Sequence, residues 1–122
     1  MIEVLEDFPD NVAAFVCRGR VTRADYESVL IPRCLERLEH HHKVRVYYEV
    51  AAEFDGIDPG AAWEDAKLGL GHLPGWERFV VVTDVEWMQH AVKFFGFLMP
   101  GELTVFPSAR AEQARAWIVG DM

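Results

Sequence analysis

His40, His41 and His42 stand in a row, and histidine is a common metal ligand and proton carrier. Consecutive helical residues point in different directions, so three in a row cannot converge on one ion while a helix persists. A helix that ends in His and Lys is favoured by its macrodipole, and this structural reading is preferred. Glu49, Glu53, Asp55 and Asp58 form a second candidate, at the carboxyl end of a predicted strand, where parallel sheets often bind ligands. Two such carboxyls could do acid–base work if their environments split their pKa values. Their spacing does not fit a calcium loop, and a solvated acidic rim is the preferred reading. Gly69-Leu70-Gly71 lacks the third glycine of a dinucleotide loop and falls inside a predicted helix, so it reads as close packing or a loosened helix end. Ser28 and Ser108 are the two serines of the chain, and neither sits in a G-x-S-x-G turn. No catalytic residue, metal site or cofactor is expected, and the chain reads as a non-enzyme. An enzyme built on the acidic rim ranks third.

The stretch WMQHAVKFFGFLM, Trp87 to Met99, offers binding rather than catalysis. At ~100° per residue its apolar arc spans roughly 160°, wider than the ~100° stripe that covers one core. Trp87, Met88, Ala91, Val92, Phe94, Phe95, Leu98 and Met99 lie on that arc. Phe97 stands amid the polar residues Glu86, Gln89, His90, Lys93 and Gly96. Two readings stay open: flanks packed on neighbouring helices with Phe97 simply exposed, or an apolar cleft or membrane-facing tip. Thirteen residues rise only ~20 Å, so such a helix can lie on a bilayer but not cross it.

These candidates need a scaffold to hold them. A chain of 122 residues fits one domain, here 1–122, and can bury a core. With 51% hydrophobic and 26% charged residues it has globular composition. The net charge of −8 argues against nucleic acid and against long-range attraction to anionic lipid. The charge is uneven: residues 11–48 hold seven Lys/Arg against four Asp/Glu, while residues 49–65 hold six acids and no base. Solvated faces explain this more simply than a partner surface. The acidic start has no secretory pattern, and no window reaches the ~20 apolar residues of a membrane span, so a cytoplasmic protein is expected. Cys17 and Cys34 lack CxxC spacing and read as reduced core residues.

Ile2–Leu5 reads as a short strand, and Val12–Cys17 (VAAFVC) as one buried on both faces. Thr22, with Asp25 three residues on, caps a helix that should kink at Pro32 and restart there. Ile31, Cys34, Leu35 and Leu38 form its apolar face. Val44–Ala51 is the next strand, and Phe54–Asp58 is a loop. Pro59 opens a helix to about Leu73, with Trp63, Ala66, Leu70 and Leu73 on one face. Phe79–Thr83 (FVVVT) reads as a buried parallel strand. Asp84 is placed to cap the aromatic helix, and Pro100-Gly101 stops it. Leu103–Phe106 is a short strand, and Ser108 caps a last helix packed through Ala111, Ala114, Ala116, Trp117 and Ile118. The order β-β-α-β-α-β-α-β-α implies an α/β fold with a mostly parallel five-stranded mixed sheet. The first strand is expected antiparallel, at or near an edge.

TRADYESVLIPRCLERLEHHHKVRVYYEV, then F-D-G, then AAWEDAKLGLGHLPGWERFVVVTDVEWMQ, then SARAEQARAWI, cover nearly the whole chain. In order and spacing they resemble the SpoIIAA-like family of STAS-fold proteins. That resemblance implies a STAS-like, CRAL-TRIO-related sandwich and a role in binding nonpolar ligands or associating with membranes. STAS-domain anti-sigma antagonists are switched by phosphorylation of a serine in a D-S-x-G-type motif before the second helix. Ala51–Gly60 here reads AAEFDGIDPG, without Ser or Thr, so the phosphoswitch does not carry over.

The expected function is therefore non-enzymatic binding of a small nonpolar or lipid-like molecule, with peripheral association at the inner face of the membrane. Trp63, Ala66 and Leu70 would form one wall of a pocket and Trp87, Ala91, Phe94 and Phe95 the other. Phe54 would sit at the mouth, and Lys67 would reach an acidic head group. Met88 and the Phe97, Leu98, Met99 tip would touch membrane or partner. The rival reading is a protein-interaction or homodimerisation module using the same aromatic surface.

Overall fold

The computed structural model describes residues 1–71, 73–95 and 101–120. Five strands make one sheet in sequence order: β1 Ile2–Val4, β2 Val12–Cys17, β3 Val44–Val50, β4 Trp76–Val82 and β5 Glu102–Phe106. β1 lies antiparallel at one edge, and every later pair is parallel. All six residues of β2 are buried, as a continuous apolar run in an inner strand requires.

Because each parallel strand is followed by its spatial neighbour, right-handed crossovers place the connecting helices on a single face. These are α1 Arg23–Asp25, α2 Ile31–His40, α3 Pro59–Gly71 and α4 Glu86–Phe95. On that face Phe15, Cys17, Val44 and Val46 pack with Tyr26, Leu30 and Cys34 and with Ala61 and Leu68 of α3. The last helix, α5 Ala111–Val119, crosses to the other face, where Ala114 and Ile118 meet Ala14, Tyr47, Val80 and Val82.

The helical path does not break at Pro32. It widens one turn earlier, into a π-helical segment over Tyr26–Leu30, and the Ile31 N–H bonds the Tyr26 carbonyl. A proline lacks the donor for its preceding turn and crowds the carbonyl there, and the wider turn accommodates both defects. Pro32 then sits in the first turn of α2. Thr22 and Asp25 form the capping box, with Asp25 N–H to Thr22 Oγ1 at 3.2 Å and Thr22 N–H to Asp25 Oδ2 at 2.8 Å. Leu35 lies on the exposed flank of α2, outside the apolar face expected for it, while Cys34 is buried.

Two caps differ from expectation. Thr83 Oγ1, not Asp84, accepts from the Val85 N–H at 3.0 Å ahead of α4. Asp84 instead accepts from the Ser108 N–H at 2.9 Å, tying β4 to the turn before α5. A 3₁₀ turn over Ser108–Arg110 precedes α5, and no side chain caps either element.

The F-D-G stretch is structural. Gly56 has φ 116°, a conformation that side chains resist. Its carbonyl accepts from Val21 N–H at 2.9 Å, while Asp55 N–H reaches Gly19 O at 2.8 Å, lacing the loops after β2 and β3 together.

Arg45 is buried on the α5 face, with only 4% of its surface exposed. Its guanidinium donates to the carbonyls of Ile118 and Gly120 and to Glu77 Oε1 at 2.6 Å. Arg78 donates to Trp117 O at 2.9 Å. Two cations thus hold the carbonyl end of α5, where the helix dipole is negative.

Candidate ligand-binding cleft

FVVVT reads as a buried parallel strand, but the two faces of β4 differ. Val80 and Val82, toward α5, are fully buried. Phe79 and Val81, on the other face, are half-buried, as are Leu103 and Val105 beside them in register on β5 and Tyr48 on β3. The helices above explain this. α3 packs on α1 and the π-helical segment and sets Ala61 and Leu68 into the core cluster with Val46 of β3 and Trp76 of β4, whereas α4 packs on β5, with Met88 Sδ 4.0 Å from Thr83 Oγ1. Among the described residues α3 and α4 scarcely touch each other. Between them the sheet is only partly covered.

Both helices run antiparallel to the strands, so the residues lining this gap follow from ~100° per residue and the inward arcs. The inward arc of α3 is Ala61, Glu64 and Leu68, all buried. Asp65, then Ala62 and Ala66, turn toward α4. The inward arc of α4 holds buried Met88 and half-buried Val92. Ala91, Trp87 and Phe94 turn toward α3. Trp87 is 54% exposed and Phe94 65% exposed. One flank of the cleft is therefore aromatic and the other is small and acidic.

This arrangement changes several sequence expectations. Trp63 is 63% exposed and points away from α4, so the face of Trp63 with Ala66 does not pack on the sheet. Lys67 also points away from the cleft and pairs with Glu64 at 3.0 Å, and Glu64 pairs with Arg23 at 3.1 Å. Met88 is buried against Thr83 and does not form an outer tip. Phe54 is half-buried against the core under α2 and α3. Ala66 and Ala91 lie on the flanks that face each other across the gap. The expectations for the side chains of Leu70 and Phe95, and for Phe97, Leu98 and Met99, fall outside the described residues.

A polar cluster lies at the α3 side of the cleft. The Tyr26 and Tyr48 hydroxyls are 3.1 Å apart, beneath α3. Desolvation pushes both phenols well above their ordinary range, so both remain protonated. Cys17 is pushed up to about 12 by burial, with a smaller opposing effect of Tyr48, and Cys34 is raised by burial as well. Both thiols are free and buried, as expected of inert core residues. Asp65 retains contact with solvent through the cleft, but the protein around it removes much of its hydration. That desolvation raises its carboxyl pKa, against a hydrogen bond from Tyr26 that lowers it. Sequence reasoning missed Asp65. Its spacing of four from Ala61 was the available signal, obscured by the choice of Trp63 as the packing residue.

The other candidates are occupied locally. His41 turns to Asp10 at 3.0 Å, and that bond, together with Arg37, holds the Asp10 carboxyl below its ordinary range. A second cleft of about 340 Å³ sits at the carboxyl ends of β2, β3 and β4, lined by Arg18, Glu49, Glu53, Asp84 and Ser108 among others. Its charges are already paired: Arg18 with Glu53 at 2.6 Å, and Glu49 with the Tyr47 hydroxyl. Asp58 pairs with Arg20 at 2.6 Å. Two of the four rim acids, Glu53 and Asp58, are thus paired with arginines of the loop after β2.

The mixed sheet, with three helical crossover connections on one face and a terminal helix on the other, defines a one-domain α/β protein of SpoIIAA-like fold. The chain belongs to the SpoIIAA-like family, whose model matches residues 12–119. It is similar to the crystal structure of an uncharacterized protein from the DUF3478 family with a SpoIIAA-like fold, from Shewanella loihica PV-4. The two are 27% identical with a TM-score of 0.73, over 97% of this chain and 92% of that one. No curated protein matches the chain. Among the described residues, no helix is long and apolar enough to cross a membrane.

Proposed function

We propose that this domain is a non-enzymatic binder of a small nonpolar or lipid-like molecule, held in the cleft between α3 and α4. The observation that carries the reading is the pair Trp87 and Phe94, more than half exposed on the flank toward α3, above half-covered Phe79 and Val81. Large aromatics beside an incompletely covered sheet form an apolar surface that a ligand can desolvate. Nile red fluorescence tests it. Wild type should bind the dye and Phe94→Asp should bind it at least tenfold more weakly. Trp63→Ser, which alters an equally exposed aromatic on the far side of α3, should leave binding unchanged. Equal binding by all three proteins, or none by wild type, overturns the reading. Organic extraction of the purified protein with mass spectrometry then identifies the natural occupant.

Peripheral membrane contact through Phe97, Leu98 and Met99 accompanies this proposal. Co-sedimentation with neutral and anionic vesicles should fall in Phe97→Asp; absence of wild type from both pellets removes the membrane clause. A second reading, a protein-interaction or homodimerisation module, is favoured by Trp63, exposed on the outer side of α3. Sedimentation over a concentration series distinguishes it, since self-association through that surface would raise the mass of wild type but not of Trp63→Ser.

A further inference from the structure

Resting on the cleft reading above, we propose that the cleft selects amphiphiles with a cationic amine head, which the Asp65 carboxylate receives while the alkyl chain lies along Phe79, Val81, Trp87 and Phe94. Charge complementarity carries the assignment. Among the acids on and just before α3, Glu53 has Arg18, Asp58 has Arg20, and Glu64 has both Arg23 and Lys67. Asp65 has no such partner among the described residues. It lies on the α3 flank that turns toward α4, and its neighbours are the phenols of Tyr26 and Tyr48. Those phenols are neutral hydrogen-bonding groups that can orient a carboxylate without neutralising it.

Lys67, the residue expected to meet an acidic head, is turned away and held by Glu64. No described cation faces the gap from α3, and on α4 Lys93 points outward from the arc that holds Trp87 and Phe94. A fatty carboxylate would therefore bring a second acid, and no cation, to a site whose desolvation already disfavours negative charge. An alkylammonium instead supplies the missing counter-charge. Along α4, Trp87 and Phe94 are seven residues apart, roughly 10 Å, which suits a medium-length alkyl chain.

The test is displacement of Nile red from the wild-type chain at pH 7 by decylamine, decanol and decanoate. Decylamine should displace the dye at least tenfold more tightly than decanoate, with decanol between them. Asp65→Asn, nearly isosteric, should bring the amine and the acid within about twofold. If Nile red binds but wild type prefers decanoate, or shows no preference, the head-group assignment is wrong and the cleft stands. Should Nile red fail to bind wild type, both fall. The wild-type comparison decides the matter even where the variant folds poorly.

Discussion

On one strand, two neighbouring valines meet different fates. Val80 is sealed under α5, and Val81 looks out between α3 and α4. The α5 side is closed by packed small and branched residues and by two arginines that clamp the carbonyl end of the helix. The opposite side is closed under α2 and α3, where Tyr26, Leu30, Cys34 and Ala61 meet the sheet, and is left half-open beyond Asp65. Burial that stabilises the fold and apolar surface left partly open to solvent are thus divided between the faces. The open half carries exposed aromatics that packing alone does not require.

The strongest challenge to this contrast is Arg45→Ala. Removing a buried, fully engaged guanidinium leaves two helix-terminal carbonyls and Glu77 without their donor, and should cost about 3 kcal/mol in urea unfolding. A loss below ~1 kcal/mol would show that α5 is not latched. Next comes the matched pair on β4. Val80→Ala should cost about 2 kcal/mol and Val81→Ala under ~1, because only the first leaves a sealed cavity. Equal losses would mean that the α3–α4 side is as closed as the α5 side.

Asp65→Asn sharpens the comparison with an effect of opposite sign. Desolvation raises the folded-state pKa of Asp65 above its unfolded value. The native state therefore keeps the proton to higher pH than the unfolded chain does. Stability contributed by the neutral carboxyl falls as pH rises through that window and stays lower above it. The variant should melt higher than wild type at pH 7, with the gap closing below the ordinary aspartate range. A lower melting temperature at pH 7 would make Asp65 structural. The smallest effect is expected from Phe94→Ser, within about 0.5 kcal/mol of wild type, since its side chain is mostly in solvent.

The parts of the fold that local chemistry controls were legible. VAAFVC reads as a strand buried on both faces, Thr22 with Asp25 makes its box, and alternating strands and helices imply a mostly parallel sheet with right-handed crossovers; that the crossover helices share one face follows from the strand order, which the sequence leaves open. The inward face of α3 was not legible. Its apolar residues, Ala61, Ala62, Trp63, Ala66 and Leu68, are spread around the helix, so periodicity chooses no side. Size suggested Trp63; close approach chose Ala61. At neighbouring Gly60 even a Cβ would come within 3.2 Å of Arg23. Local rules make Pro32 a kink, because the π turn that accommodates it depends on Tyr26 and Leu30 being anchored in the core. Local spacing makes Asp84 a cap, because Ser108, its actual donor, lies 24 residues away.

By itself, then, the sequence determined the order of elements, the closed inner strand, the inert cysteines and a helix with more aromatic surface than one core needs. Those follow from short-range sterics, hydrogen bonding and the period of apolar residues. Tertiary structure alone decided that α3 and α4 stand apart, that Trp63 faces away, and that Asp65 meets the gap unpaired while Lys67 does not. Those depend on how far apart two helices sit on a twisted sheet and on which charges are left after every nearer pairing is made, and neither is encoded in local spacing.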